Sequence, residues 1–376
     1  MLIYLGFAAL AAFASALVLS LLGEISLLAT THLVFAAAAL PLIFGAISHF
    51  MPVLTRTGEA PRAVLLVPFL LQVAGLLAFL YFRGAVATTV LHAAAGTALL
   101  VALAYAGWLL ARARKTFGTP HPGWRWYFAA VVFLAFGLAL VPAMDYWPQW
   151  RLALRLLHVH FNLLGFVGLT AIGTLQVLLP TVLSGPDAEA TQRLRTDLPW
   201  AVGGVLATSL GAAFWWPLSL AGAAMLFCVV WHLGSAWYSR YGLLTLLADG
   251  AAAALVAALF GFVLFLLIGV AHAFGLLSGH DAVPGFMAAF LLPLVSGALS
   301  QLLPVWRFPG KATPERARMR DLLASGGLVR ALFFIASGFL LALGYEEGFW
   351  LAAVGLLHFG AVLVRTYFFS APIGIE

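Results

Sequence analysis

Two histidines occupy equivalent positions in an internal repeat, inside segments that are otherwise apolar. Each is followed, at the same spacing, by a glycine and then a proline. A third copy of the pattern carries a proline where the histidine would be. The three copies are His32, Gly45 and Pro52; His160, Gly173 and Pro180; and Pro284, Gly297 and Pro304. Repeats indicate the architecture of a chain, because each copy is expected to form the same structural unit.

Imidazole groups at membrane depth are uncommon and are candidates for function. A group of them drawn from several helices would suit a haem or a transition metal, because neutral imidazole nitrogen ligates both. His32 and His160 are the first candidates as cofactor ligands. His272 lies on the same predicted side of the membrane and is the third. The alternative for each is an interfacial histidine that is hydrogen-bonded to a backbone carbonyl.

Helix geometry limits which histidines can act together. His158 and His160 are about 200° apart around a helix, so both cannot face one pocket. His160 is favoured as the inward ligand because it matches His32 in the repeat, and His158 is the alternative metal ligand. His49 lies about 25 Å along a helix from His32, so those two cannot share one haem. Gly165 and Gly168, just below His160, would let a flat macrocycle approach the backbone.

Three further residue types have interpretations of their own. Asp249 is the one carboxylate that falls within a predicted apolar helix. An intramembrane carboxylate can serve as a proton relay, and the other interpretation is a carboxylate that reaches the inner interface. The repeated prolines are interpreted as helix ends or kinks, because proline removes a backbone donor. The repeated glycines are interpreted as sites of close helix packing.

Composition identifies the class of protein. Of 376 residues, 64% are hydrophobic and 9% are charged, whereas a soluble domain carries about 25% charged residues. The chain is therefore predicted to be an all-α polytopic membrane protein, with a single transmembrane domain over residues 1–376. Twelve apolar segments are long enough to span a bilayer. They lie near residues 2–22, 28–54, 61–82, 86–111, 126–146, 153–183, 197–216, 218–239, 243–274, 284–306, 324–344 and 348–370.

The twelve segments fall into three sets of four, at about residues 1–115, 124–240 and 243–372. The repeated histidine, glycine and proline positions lie in the second segment of each set. Four crossings return the chain to its starting side, so the three repeated helices are predicted to run parallel. They would be related by pseudo-threefold symmetry about an axis along the membrane normal.

Basic residues predict the orientation. One side of the predicted helices holds only Arg83, Arg151 and Arg155, and most other Lys and Arg residues lie on the opposite side. The positive-inside rule then places both termini in the cytoplasm of a bacterium, with the chain integral to the inner (plasma) membrane and the lipid bilayer as its partner. The net charge of +6 reflects this topology, so no nucleic acid is expected. The single Cys228 excludes disulfides, iron–sulfur clusters and covalently attached haem.

The sixth segment resembles the sixth helix of haem–copper oxidase subunit I. The likeness is closest to cbb-type oxidases, in which a His-Asn pair precedes Gly-Phe and a later Leu-Pro or Val-Pro. The segment equally resembles the NnrS family, membrane proteins that contain haem and copper and are linked to nitric oxide. Twelve helices and cytoplasmic termini extend the likeness over the whole chain. The matching residues are His158, His160, Asn162, Gly165, Phe166, Gly168, Gly173 and Pro180.

The chain departs from the oxidase pattern at two helices. Oxidases carry a copper-binding histidine pair on the seventh helix and haem-ligating histidines on the tenth. Neither Asp197–Pro217 nor Pro284–Trp306 contains a histidine. Only two positions carry over: His32 resembles the haem ligand of the second helix, and His160, or else His158, resembles the metal ligand of the sixth. An intact oxygen-reducing centre is therefore not expected.

The resemblance implies a haem-binding protein that holds haem b through the histidines named above, with copper as a second candidate metal. Its ligand would be nitric oxide or another small diatomic molecule, its chemistry redox or metal handling, and its partners other respiratory-chain subunits. Whether the chain is itself an enzyme stays open. Two alternatives also stay open. One is a cofactor-free transporter or assembly factor, which suits the histidine missing from the third repeat and an intramembrane Asp249. The other is a structural subunit of a respiratory complex.

Overall fold

In the computed structural model, long helices account for most of the chain. The structure describes residues 1–183, 185 and 187–368, apart from the side chains of His280 and Phe368, and this part of the chain contains no β-strand. The predicted position of the C-terminus therefore lies outside the described residues. The described helices are α1 Leu2–Leu21, α2 Leu27–Thr55, α3 Arg62–Phe82, α4 Thr88–Arg114, α5 Gly123–Tyr146, α6 Pro148–Leu183, α7 Ala190–Phe214, α8 Trp216–Ala248, α9 Gly250–Ala273, α10 Asp281–Arg307, α11 Pro314–Ala342 and α12 Gly348–Phe368.

Among the described residues, eleven of these helices are long and apolar enough to cross a membrane. The prediction of an all-α polytopic membrane protein is confirmed at this level. The exception is α7, whose first turns are polar and hold a buried Arg193 that pairs with Asp187 at 2.6 Å. The predicted break between the seventh and eighth segments is also present, at the extended residue Trp215.

The three repeated helices share a local distortion. Each contains a wide-turn (π) segment close to the repeated histidine or proline position. These segments are His32–Ala39 in α2, Phe161–Gly168 in α6 and Met287–Leu291 in α10. Wide turns are rare in ordinary helices and frequently mark functional sites. The overall threefold symmetry stays a prediction.

The repeated glycines lie at close helix contacts, as predicted. In each case a Cβ atom would press against the first helix of the same predicted set of four. The contacts are Gly45 with Leu5 of α1, Gly173 with Trp126 of α5, and Gly297 with Ala251 of α9. The repeated prolines lie in the last turns of their helices, which end at Thr55, Leu183 and Arg307. Both interpretations of these repeats are confirmed.

The structure divides into two compact units. Unit 1 consists of Met1–Ala16, Leu22–Val177 and Asp187–Val230; unit 2 consists of Leu17–Leu21, Leu178–Pro186 and the residues from Trp231 onward. The first two predicted repeats fall mainly in unit 1, and the third falls in unit 2. A single transmembrane domain over the whole chain stays a prediction.

Each unit has its own interior. In unit 1, two of the buried polar contacts join neighbouring helices: Ser48 and the Tyr105 hydroxyl are 2.9 Å apart, and Trp126 donates to the Leu194 carbonyl at 2.8 Å. Such pairing is expected because an unpaired polar group at this depth is costly. In unit 2, aromatic rings also pack closely, with the centroids of Phe286 and Phe290 4.6 Å apart.

Candidate functional site

Four of the six histidines of unit 1 lie at one end of that unit. The turns α1–α2, α3–α4 and α5–α6 share this end, because successive helices alternate in direction. Contacts between these turns join them: Arg83 donates to the Glu24 carbonyl, and His92 bonds to Asp145 at 2.9 Å. We call this region the histidine end of unit 1. Its imidazoles are His32, His92, His158 and His160.

His32 is fixed by its own helix and by α3. Ser26 caps the first turn of α2, and His32 is the first residue of the wide-turn segment. The His32 Nδ1 atom lies 2.8 Å from the Leu28 carbonyl oxygen, and Phe82 stacks on the ring with centroids 4.2 Å apart. A carbonyl can only accept a hydrogen bond, so Nδ1 carries the proton. The neutral ring then presents the lone pair of Nε2.

A neighbouring helix holds the His158 ring in the same tautomer, with the proton on Nδ1. Its Nδ1 atom lies 2.8 Å from the carbonyl oxygen of Gly137 on α5. Asn162, one turn further along α6, donates to the His158 carbonyl at 2.7 Å and packs against Gly137. A side chain at position 137 would meet Asn162 Nδ2 at 2.6 Å. The glycine therefore allows Asn162 to pack close to α5, beside the carbonyl that orients His158.

His32 and His158 lie at the same end of unit 1, and both rings are half-buried. Among the described residues, neither Nε2 atom has a hydrogen-bond partner. His160 bonds through Nδ1 to the Leu156 carbonyl at 2.7 Å, the same bond to the preceding turn that His32 makes to Leu28. This matches its equivalence to His32 in the repeat.

His272 lies elsewhere, at the end of α9 in unit 2. The side chain is exposed, and its Nδ1 atom lies 3.0 Å from the Leu277 carbonyl across the α9–α10 turn. Gly279 packs on the ring, where a Cβ atom would come within 2.8 Å. These contacts close a turn, and a ligand role for His272 stays a prediction. In the described part of the chain, no three His, Cys, Asp or Glu side chains form a metal-binding group.

Aromatic side chains border the histidine end. The Phe133 and Phe161 ring centroids are 5.4 Å apart, and Phe136 lies 6.4 Å from Phe161. The prediction that Gly165 opens the backbone to a macrocycle is wrong. A Cβ atom there would lie 2.7 Å from Phe133, so Gly165 serves the packing of α6 on α5.

Asp249 is a helix cap. The prediction that it lies within a helix is wrong, because α8 ends at Ala248 and Asp249 has extended backbone angles. Its Oδ1 atom accepts from the Ala251 and Ala252 amides at 3.0 Å each, which is the usual role of aspartate before a helix. Its Oδ2 atom pairs with Arg320. A proton-relay role for Asp249 stays a prediction.

Arg320 joins several parts of unit 2 around that cap. Besides Asp249, it donates to Gln301 at 3.2 Å and to the Val182 carbonyl at 3.2 Å. Asp249 and Arg320 line a pocket of about 400 Å³. The pocket also includes Ser325 and Gly326, where α11 is interrupted between its segments Pro314–Ala324 and Gly327–Ala342.

Sequence reasoning missed the buried Arg330. The residue is 1% exposed, and no carboxylate of the described chain lies within ion-pair distance. Its guanidinium donates to the carbonyls of Leu323 and Ser325 at 3.4 and 3.5 Å and lies 4.6 Å from the Phe359 ring. These carbonyls end the first segment of α11, whose dipole favours a cation there. The available signal was one basic residue inside an apolar segment.

A scan against protein-family models and a search of curated proteins both found no match to this chain. Its function is therefore inferred from its residues and their geometry.

Proposed function

We propose that this chain is a haem-binding integral membrane protein, in which His32 and His158 at the histidine end of unit 1 would hold the haem. The observation that supports this is the matched state of the two rings. Each has its Nδ1 proton bonded to a backbone carbonyl, so each presents an Nε2 lone pair. Histidines that ligate metals are generally oriented by such a bond at the other ring nitrogen.

The ligand set fits haem better than a copper ion. Haem iron receives four nitrogens from the porphyrin and needs only one or two axial side chains. Copper in a protein generally takes three or more protein ligands. His32 and His158 supply two, with His160 as the nearest further candidate on α6, so copper is the secondary proposal. Phe82, which stacks on the His32 ring, gives the proposed site an apolar neighbour.

A haem held by both His32 and His158 through their Nε2 atoms would supply electron-transfer chemistry. We therefore favour a redox role in a bacterial inner membrane, next to other respiratory proteins. Diatomic-ligand handling, as the resemblance to the NnrS family implies, is the second role of the same site.

The optical spectrum of the detergent-purified protein, oxidised and dithionite-reduced, tests this proposal. Haem binding predicts a Soret band, which His32→Ala and His158→Ala should abolish or shift. His92→Ala is the matched control, since that ring lies at the same end but pairs with Asp145. His160→Ala separates the two candidates on α6. A colourless protein from haem-replete cells, still colourless after haem supplementation, would contradict the proposal.

A cofactor-free transporter is the second candidate, favoured by the pocket in unit 2. Two helix starts meet there, at Asp249 and at Gly326. Interrupted helices whose N-termini face a pocket are typical of transporter substrate sites. Substrate uptake into proteoliposomes that is lost in Asp249→Ala but unchanged in His158→Ala would favour this function over haem binding.

A further inference from the structure

The break in α11 is in contact with one histidine of α12. The break lies between Ala324, the last residue of the first segment, and Gly327, the first residue of the second. Gly326 within it has a left-handed backbone, with a φ angle of 65°, and the His358 ring packs on it. A Cβ atom at position 326 would lie 2.7 Å from His358 Cε1, so glycine is required there for the ring to pack as well as for the backbone angle.

The same histidine contacts the buried Arg330. Arg330 Nη1 lies 3.5 Å from His358 Nδ1 and 3.5 Å from the Ser325 carbonyl oxygen. A guanidinium can only donate, so Nδ1 is the acceptor and the ring is neutral, with its proton on Nε2. Phe359, the next residue of α12, has its ring centroid 4.6 Å from Arg330 Cζ. Arg330 therefore connects α12 to a carbonyl at the break.

No negative charge balances the guanidinium or the ring. Among the residues that the structure describes, no carboxylate lies within ion-pair distance of either group. Asp249, which precedes α9, pairs with Arg320 instead. A proton on His358 would therefore place a second positive charge beside Arg330. The other charged residues of α11 and α12 make no hydrogen bond or ion pair with the ring; they are Glu315, Arg316, Arg318, Asp321 and Arg365.

We propose that His358 is an acid-sensitive latch on the break in α11, and that protonation of its ring releases the break. The added proton occupies the Nδ1 lone pair that accepts from Arg330, and the two cations then repel each other, so the ring leaves Gly326. Ser325, Gly326 and Gly327 line the pocket of unit 2. Release would move this wall of the pocket and make its shape depend on pH. The inference does not depend on haem binding in unit 1.

Hydrogen–deuterium exchange of the full-length protein in detergent measures the release. Protection factors of peptides that cover residues 321–330 are compared at pH 8 and pH 5.5, after correction for the intrinsic pH dependence of exchange. A histidine in water takes up a proton at about pH 6.5, so one pH unit below that value favours the protonated, released form about tenfold. We expect the protection of this segment to fall about tenfold at pH 5.5, with little change in the middle of α9.

Variants assign the response to one side chain. Glutamine can accept from Arg330 through its amide oxygen but does not titrate, so His358→Gln should keep high protection at both pH values. His358→Ala lacks the acceptor and should show low protection at both. His232→Gln is the matched control, because this histidine lies on α8 in the same unit, and it should keep the wild-type response.

Two results would overturn the latch. One is equal protection of the segment at both pH values in the wild-type protein, a comparison that needs no variant to fold. The other is a fall in His358→Gln as large as in the wild type, which would place the titrating group elsewhere. Neither result bears on the Soret band that tests haem binding, so the latch and the proposed function can fail separately.

Discussion

The Nδ1 atom of His158 donates a hydrogen bond to the carbonyl oxygen of Gly137, 2.8 Å away on α5. The bond sets the tautomer of the ring, and the missing side chain at Gly137 lets Asn162 pack beside it. Helix packing and ligand orientation therefore depend on the same residue. Substitutions at this contact should affect both stability and the Soret band that the proposed haem would give.

Gly137→Ala should lower stability and disturb the His158 site. The new methyl would lie 2.6 Å from Asn162 Nδ2 and 3.2 Å from its Cγ, so the amide must move and weaken its bond to the His158 carbonyl. We expect a loss of about 1 kcal/mol and a weakened or shifted Soret band. Thermal unfolding followed by tryptophan fluorescence, together with the absorption spectrum, measures both.

Gly107→Ala is the control for that substitution. Gly107 lies within α4 in the same unit, and a Cβ atom there meets nothing within 4 Å. Alanine should leave stability unchanged or raise it slightly, since it is the better helix former. Equal melting temperatures for the two variants would show that the contact of Gly137 with Asn162 contributes nothing.

Gly261→Ala should be among the most destabilising single changes in unit 2. A Cβ atom there would overlap the backbone carbonyl of Ala289, and backbone cannot move aside as a side chain can. We expect a loss of about 2 kcal/mol or more. Gly269 lies on the same helix with nothing within 4 Å, so Gly269→Ala serves as the control. A Gly261→Ala protein as heat-stable as Gly269→Ala would rule out this close helix contact.

The helices were predictable because their signal is local. A long apolar run needs no knowledge of its neighbours, and the twelve predicted segments correspond to helices α1–α12. The roles of the repeated glycines and prolines could also be predicted. A glycine permits close packing and a proline favours a helix end in whichever helix contains it. The boundary at Asp249 was missed because the apolar run continues through it, whereas the cap depends on backbone angles.

The candidate site was only partly predictable because its contacts are not local. Equivalence within the repeat favoured His160 as the partner of His32, whereas our proposal takes His158, whose ring is oriented by a neighbouring helix. The orientation of His158 depends on a carbonyl of α5, and backbone carbonyls carry no sequence signal. Arg330 was missed for the same reason, since its partners are the carbonyls of Leu323 and Ser325.

Substitutions of Asp249 should separate its capping role from a proton relay. Asparagine caps helices nearly as well as aspartate, so Asp249→Asn should retain the bonds to the Ala251 and Ala252 amides and lose only the charge pair with Arg320. Asp249→Ala should lose both and cost about 1 kcal/mol more. Thermal unfolding measures this difference. Equal stability of the two variants, together with loss of substrate uptake into proteoliposomes in both, would favour the proton relay.

Acid should destabilise unit 1 through His121, which lies in the loop before α5. Burial, assisted by the Arg195 guanidinium, lowers the pKa of His121 below its ordinary value. The ring also accepts a hydrogen bond at Nδ1 from the Gly123 amide at 3.3 Å, and protonation would remove that acceptor. Protonation of His121 is therefore less favourable in the folded state than in the unfolded state, in which the ring takes up a proton below about pH 6.5.

The sign of the effect follows from that difference in proton binding. The contribution of His121 is fully present above about pH 6.5 and is lost as the pH falls from there through the lower pKa of the folded state. Melting temperatures measured from pH 8 to pH 5 should therefore decline in the acid part of this range. His121→Asn is the control, because its amide oxygen can accept from Gly123 but does not titrate. A decline of the same size in this variant would mean that His121 is not its source.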